Sequence, residues 1–71
     1  MKTYTHEQFK EMKRCATREL AFRRHTYPRQ TVRGRMHQPE ADRELAAMEM
    51  IVGLLDELSE AAAGTQPLPL G

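Results

Sequence analysis

The chain has 71 residues and a net charge of +1; 39% of its residues are hydrophobic, 30% are charged, and Tyr4, Phe9, Phe22 and Tyr27 are its only aromatics. A chain this short makes one domain and has few large side chains to offset ordering costs of roughly 1.5 kcal/mol per residue, so a disulfide, a structural metal or oligomerisation is expected. Cys15 is the single cysteine, which excludes an intrachain disulfide, and no CxxC or HxxxH spacing is present to hold zinc, so oligomerisation remains.

The first predicted helix has a readable start. Thr5-His6-Glu7-Gln8 fits a capping box, with Thr5 as N-cap and Gln8 three residues on. Phe9, Met12, Ala16, Leu20 and Tyr27 then fall within about an 80° sector of a helical projection. Lys10, Lys13, Arg14, Arg18 and Arg24 lie largely away from its centre, whereas Arg23 falls inside it. The stem of Arg23 can pack there while its head meets an acid of a second helix. Cys15 and Phe22 sit seven apart on a flank and widen the apolar surface.

Pro28 interrupts this helix by removing one backbone donor. The regular part is expected over residues 6–26, with a kinked or restarted helical segment through Val32. Gly34 then takes the left-handed position that ends a helix, and the arginines Arg29, Arg33 and Arg35 suit its negative C-terminal end. The second helix is expected over residues 39–62. Pro39 fits its first turn, and Glu40 and Asp42 complement the positive end of its dipole. Ala41, Leu45, Met48, Val52 and Leu55 form its apolar centre, flanked by Ile51, Leu58 and Ala62. Gly53 is compatible with close helix approach or with simple tolerance. Residues 1–63 thus read as one helical domain, and residues 64–71, interrupted by Pro67 and Pro69, as a mobile tail.

The expected fold class is all-α: a two-helix antiparallel hairpin with a break near Pro28 to His37. Its second helix has an apolar face too wide for one seam. A homodimer in a four-helix arrangement would cover it, with Leu45, Met48, Ile51, Val52, Leu55 and Leu58 shared between the hairpin and dimer seams.

The charge is divided along the chain. Residues 1–37 hold ten Lys/Arg and three acids, a net +7, and residues 38–71 hold one Lys/Arg and seven acids, a net −6. Mutual neutralisation of the two halves accounts for part of this, through pairs such as Arg29, Arg33 or Arg35 with Glu40, Asp42 or Glu44 across the turn. The remainder marks a surface for an acidic partner. Arg14, Arg18, Arg24, Arg29 and Arg33 are the leading partner-binding candidates. A protein partner is favoured, because the acidic second helix is unsuited to reading a nucleic-acid groove. Nucleic acid bound by the basic first helix is the alternative. No catalytic constellation is legible around His6, His25, His37 or Cys15, and no metal or cofactor is expected. Met1 to Glu7 lacks an apolar signal-peptide core and no stretch is long enough to span a membrane, so the expected setting is cytoplasmic.

Residues 27–51 read YPRQTVRGRMHQPEADRELAAMEMI. Tyr27, Pro28, Arg29, Val32, Gly34, Arg35, Met36 and Gln38 form its first half. Glu40, Ala41, Asp42, Arg43, Glu44, Ala46, Met48, Glu49 and Ile51 form the second. In these positions the segment, about a third of the chain, resembles a group of small phage and prophage proteins; Gln30, Thr31 and Pro39 depart from the pattern. The resemblance implies a phage accessory role inside a bacterial host and carries no established activity; by analogy with small phage proteins in general, the expected action is to modulate or inhibit a host or phage protein. It brings no catalytic residue with it.

Overall fold

The structure, a computed structural model, describes residues 3–65. Two helices account for nearly all of them: α1, His6–Val32, and α2, Gln38–Thr65. They form an all-α antiparallel hairpin, as the periodicities predict.

The start of α1 follows the capping-box reading. Thr5 Oγ1 accepts from the Gln8 N–H at 3.1 Å, and Gln8 Oε1 accepts from the Thr5 N–H at 2.9 Å. Two donors that a helix start leaves unpaired are thereby satisfied. Tyr4, just before the cap, packs edge-on against Phe9 with ring centroids 5.8 Å apart. This is a hydrophobic staple, and it sets the angle at which the chain enters the helix.

Pro28 does not end α1. The helix runs through it to Val32, six residues beyond the expected regular part. Pro28 lies on an exposed part of the helix, where water can replace the one hydrogen bond that its ring removes. The Thr31 hydroxyl donates to the Pro28 carbonyl at 2.9 Å and ties the last turn together. The break is therefore confined to residues 33–37. Gly34 has φ +72°, the left-handed conformation expected of it. Its N–H donates to the Thr31 carbonyl at 3.1 Å, and the Arg35 N–H reaches the Gln30 carbonyl at 2.9 Å. These two bonds are the Schellman pair, which satisfies carbonyls at the helix end as it reverses the chain.

The second helix starts one residue earlier than expected, at Gln38, with the His37 carbonyl accepting from the Ala41 N–H at 3.0 Å. Pro39 lies in the first turn, where its missing donor costs nothing. At the other end the helix includes Gly64 and Thr65, so the expected tail boundary moves outward. Residues 66–71, the rest of that tail, lie outside the described residues.

One seam joins the helices. Ala16, Leu20 and Met48 form the buried cluster, with Leu45, Val52 and Leu55 partly buried against it. Ala41, 1% exposed, closes the seam near the turn. Ala41, Leu45, Met48, Val52 and Leu55 are thus the inward face of α2, as read from their spacing, and the same repeat continues to Ser59, which is buried. At that far end the His6 ring lies with Nδ1 2.8 Å from the Ser59 carbonyl. A carbonyl only accepts, so Nδ1 carries the proton and donates, pinning the first turn of α1 to α2.

The two glycines near the middle of the chain differ. Gly34 needs its positive φ, whereas a Cβ at Gly53 meets nothing within 4 Å. Gly34→Ala should therefore cost about 1–2 kcal/mol. Gly53→Ala should gain about 1 kcal/mol. In a chain of this size each kcal/mol moves the midpoint of thermal unfolding by roughly 4–8 °C, in opposite directions for the two variants. Thermal unfolding followed by circular dichroism checks both signs.

Candidate functional site

Two surfaces remain once the seam is closed, one basic and one apolar. The basic one is built on α1. Three cations of this helix are taken up by acids of α2. Lys13 Nζ bonds Asp56 Oδ1, Arg23 Nη1 lies 3.5 Å from Glu44 Oε2, and Arg24 Nη2 lies 3.0 Å from Glu49 Oε1. Arg23 is held further by Glu19 at 3.0 Å and sits 6.0 Å over the Tyr27 ring. The hydrogen bond that it donates to Glu19 holds its guanidinium above the ordinary arginine pKa, against the lowering effect of burial. Its stem packs at the seam while its head meets an acid of α2, the arrangement its position inside the apolar sector implies.

The pairs expected across the turn do not form. Among the described residues, the ion pairs of the hairpin leave out Arg29, Arg33 and Arg35. Helix geometry explains this. At 100° per residue Arg29 points directly away from the seam, and Arg33, the C-cap that follows the last turn, is exposed on the same side. Lys13, Arg23 and Arg24 lie within reach of α2 and take its carboxylates instead.

Of the five basic candidates, the structure therefore separates three kinds. Arg24 is tied to α2. Arg14 is outward but paired with Glu11 of its own helix, a bond that raises its pKa. Arg18, Arg29 and Arg33 are outward, exposed and without a carboxylate partner among the described residues. Arg14, Arg18, Phe22, His25, Arg29 and Arg33 succeed one another at three- and four-residue steps, so they share the outer face of α1. All six are exposed. The face extends roughly 28 Å at 1.5 Å per residue. Phe22, 60% exposed, stands in its middle. The sequence placed Phe22 on an apolar flank; only the projection against the real seam puts it among the arginines.

The apolar surface is on α2. The six residues expected to serve both seams divide cleanly. Leu45, Met48, Val52 and Leu55 belong to the hairpin seam. Ile51 and Leu58 remain 46% and 37% exposed beside it. Met50 at 68% and Leu54 at 56% join them, two residues that the sequence reading left out. The signal was present: Ala47, Ile51, Leu54, Leu58 and Ala61 repeat at alternating four- and three-residue steps, a second heptad beside the first. On the neighbouring flank, Tyr4, Met12, Cys15 and Leu55 line a shallow groove.

Cys15 is an exposed free thiol, with the Arg18 guanidinium 3.9 Å from its sulfur. Among the described residues no group of three His, Cys, Asp or Glu side chains is placed to hold a metal ion. Neither described helix is long and apolar enough to cross a membrane.

In comparisons with protein-family models, with curated proteins and with solved structures, no match to this chain is found.

The division among the cations has a thermodynamic consequence. Arg29→Ala and Arg33→Ala remove charges that touch no acid, so urea unfolding midpoints should stay close to that of the parent chain. Arg23→Ala removes two carboxylate contacts and a half-buried stem, and should lower the midpoint clearly. The exposed pair of Arg24 and Glu49 should contribute between these, within about 1 kcal/mol in a double-mutant cycle.

Proposed function

We propose that this protein is a non-catalytic accessory factor that binds an acidic surface of another protein through the outer face of α1, and so modulates or inhibits that protein. One observation carries the reading: Arg18, Arg29 and Arg33 face outward with no carboxylate partner among the described residues, while the cations near the seam are consumed by α2. Arginines held on a regular helix offer planar, bidentate donors at fixed spacing, which suits carboxylates on a partner. Their long-range field also speeds encounter with a surface of opposite sign.

The setting we propose is a phage accessory role, with a host or phage protein as the partner inside a bacterial cell. It rests on the resemblance of residues 27–51 to small phage and prophage proteins. The acting form in this reading is a homodimer. It is supported by the exposed apolar face of α2 on a chain whose buried hydrophobic residues, among those described, are Ala16, Leu20, Ala41 and Met48.

A second reading has one observation in its favour. Phe22 stands exposed between Arg18 and Arg29, and an aromatic among arginines is also how single-stranded nucleic acid is held, by stacking and phosphate contact. The acids of α2 lie on the other helix and do not interrupt this face. The protein reading is preferred because the chain as a whole is nearly neutral, at +1.

The test is affinity capture from bacterial lysate with the parent chain and with Arg18→Glu combined with Arg29→Glu. Capture of a protein that survives nuclease treatment, weakens with salt and is lost in a helical double variant is the expected result. Unchanged capture by that variant would show the outer face of α1 to be solvated surface only. Loss of all capture on nuclease treatment would transfer the function to nucleic acid.

A further inference from the structure

The exposed face of α2 carries more than a general tendency to associate, because its pattern is self-complementary in one direction. The inward heptad of α2 runs through Ala41, Leu45, Met48, Val52, Leu55 and Ser59 and is occupied by α1. The second heptad, Ala47, Ile51, Leu54, Leu58 and Ala61, is displaced from the first by about a third of a turn and has no partner helix in the hairpin. It covers about 21 Å of helix. No charged residue interrupts it between its end alanines.

We infer that this stripe is covered by the same stripe of a second copy, with the two α2 helices antiparallel and the two-fold axis passing beside Leu54. The inference rests on the homodimeric reading above and adds its direction and register. Three features select this occupant. First, the stripe reads alike from either end, small at Ala47 and Ala61 and bulky at Ile51, Leu54 and Leu58. In an antiparallel pair centred on Leu54, Ala47 therefore meets Ala61 of the second copy, and Ile51 packs beside Leu58, offset by one residue. Such a pairing satisfies the self-complementarity that a two-fold interface requires.

Second, the flanking charges oppose the parallel alternative. Glu40, Glu44 and Glu57 border the stripe, and parallel packing sets each beside its own counterpart. Antiparallel packing separates them and opposes the helix dipoles favourably. Third, α2 has no basic residue in its last turn, so none of the described residues of that turn offsets its negative end. Arg43 is exposed and makes none of the hairpin's ion pairs among the described residues. In the antiparallel register it lies opposite the end of α2 of the second copy, at Thr65, and supplies the missing cation. An unrelated partner would explain the apolar stripe but neither its end-to-end symmetry nor the placement of Arg43.

The experiment uses the full chain with Cys15→Ser, carrying either Ala47→Cys or Ala61→Cys, and a short bismaleimide cross-linker. Sedimentation of the parent chain is measured alongside. A dimeric parent, with cross-linked dimer from the mixture of the two variants and its loss when either variant is used alone, is the expected outcome. Cross-linking of Ala47→Cys with itself, as efficient as in the mixture, would overturn the antiparallel arrangement while leaving a dimer standing. A parent chain that sediments as a monomer at micromolar concentration would overturn this inference and the dimeric reading together. Neither result bears on capture by Arg18 and Arg29, which is measured separately. Leu54→Glu should convert the dimer to a monomer; a helical Leu54→Glu chain that still sediments as a dimer would place the contact elsewhere.

Discussion

Leu20 and Met48 meet at the centre of a single seam, with Ala16 beside them, and the remaining architecture is arranged around that contact. Two helices side by side can bury only the strips that face each other. Here those strips are narrow, since two of the buried apolar residues, Ala16 and Ala41, are alanines. The small side chains let the helices approach, and the ends are then fixed by the Thr5–Gln8 capping box with its apolar Tyr4–Phe9 staple, by the His6 to Ser59 bond, and by the Schellman turn at Gly34. The three polar devices satisfy backbone groups that a thin hairpin would otherwise leave to water. The stability of a chain built in this way depends on its ends as much as on its middle.

The same seam sorts the charges. A cation on α1 is consumed or left free according to its angle from Leu20, and the sequence separation between partners matters little. Lys13, Arg23 and Arg24 lie close enough to the seam for their long side chains to cross it. Arg18, Arg29 and Arg33 lie on the far side of a helix about 10 Å across and cannot. A near-neutral protein thereby presents, from Arg18 to Arg33, a stretch of one face with charges of a single sign. Such a face acts on a partner at short range, where screening leaves mainly local charge to be felt.

The helix α2 works on two sides at once. One heptad is committed to the hairpin and the other faces solvent, so the apolar content of this helix exceeds what one seam can use. Monomeric proteins seldom retain a contiguous apolar stripe on a regular helix, and the cost of exposing it is relieved when another surface covers it. The basic face of α1 points away from the seam and the apolar stripe of α2 lies on a different helix. Association through one therefore leaves the other open, which allows self-association and partner binding to occur together.

Much of the fold was legible in the sequence. Thr5 and Gln8 marked the start of α1, Gly34 marked its end, and the spacing of Ala41, Leu45, Met48, Val52 and Leu55 marked the inward face of α2. These are local signals: capping, a φ that favours glycine, and helical periodicity act within a few residues and need no knowledge of the partner helix. Pro28 drew the expected break forward to residue 28, although helical structure was read through Val32, because the cost of a proline depends on whether its freed carbonyl reaches water, and that is a matter of which face it occupies. The ion pairs other than that of Arg23 were beyond reach for the same reason. Arg24 and Arg29 are alike in sequence, yet one is bound to Glu49 and the other points away from α2. Ile51 and Leu58 could be assigned to a second face only after Leu45, Met48, Val52 and Leu55 had been claimed by the first. The sequence by itself determined which residues form helices and where the chain turns. Tertiary structure alone decided which charges and which apolar side chains remain for another molecule, because that depends on the rotation of each helix about its axis against the other.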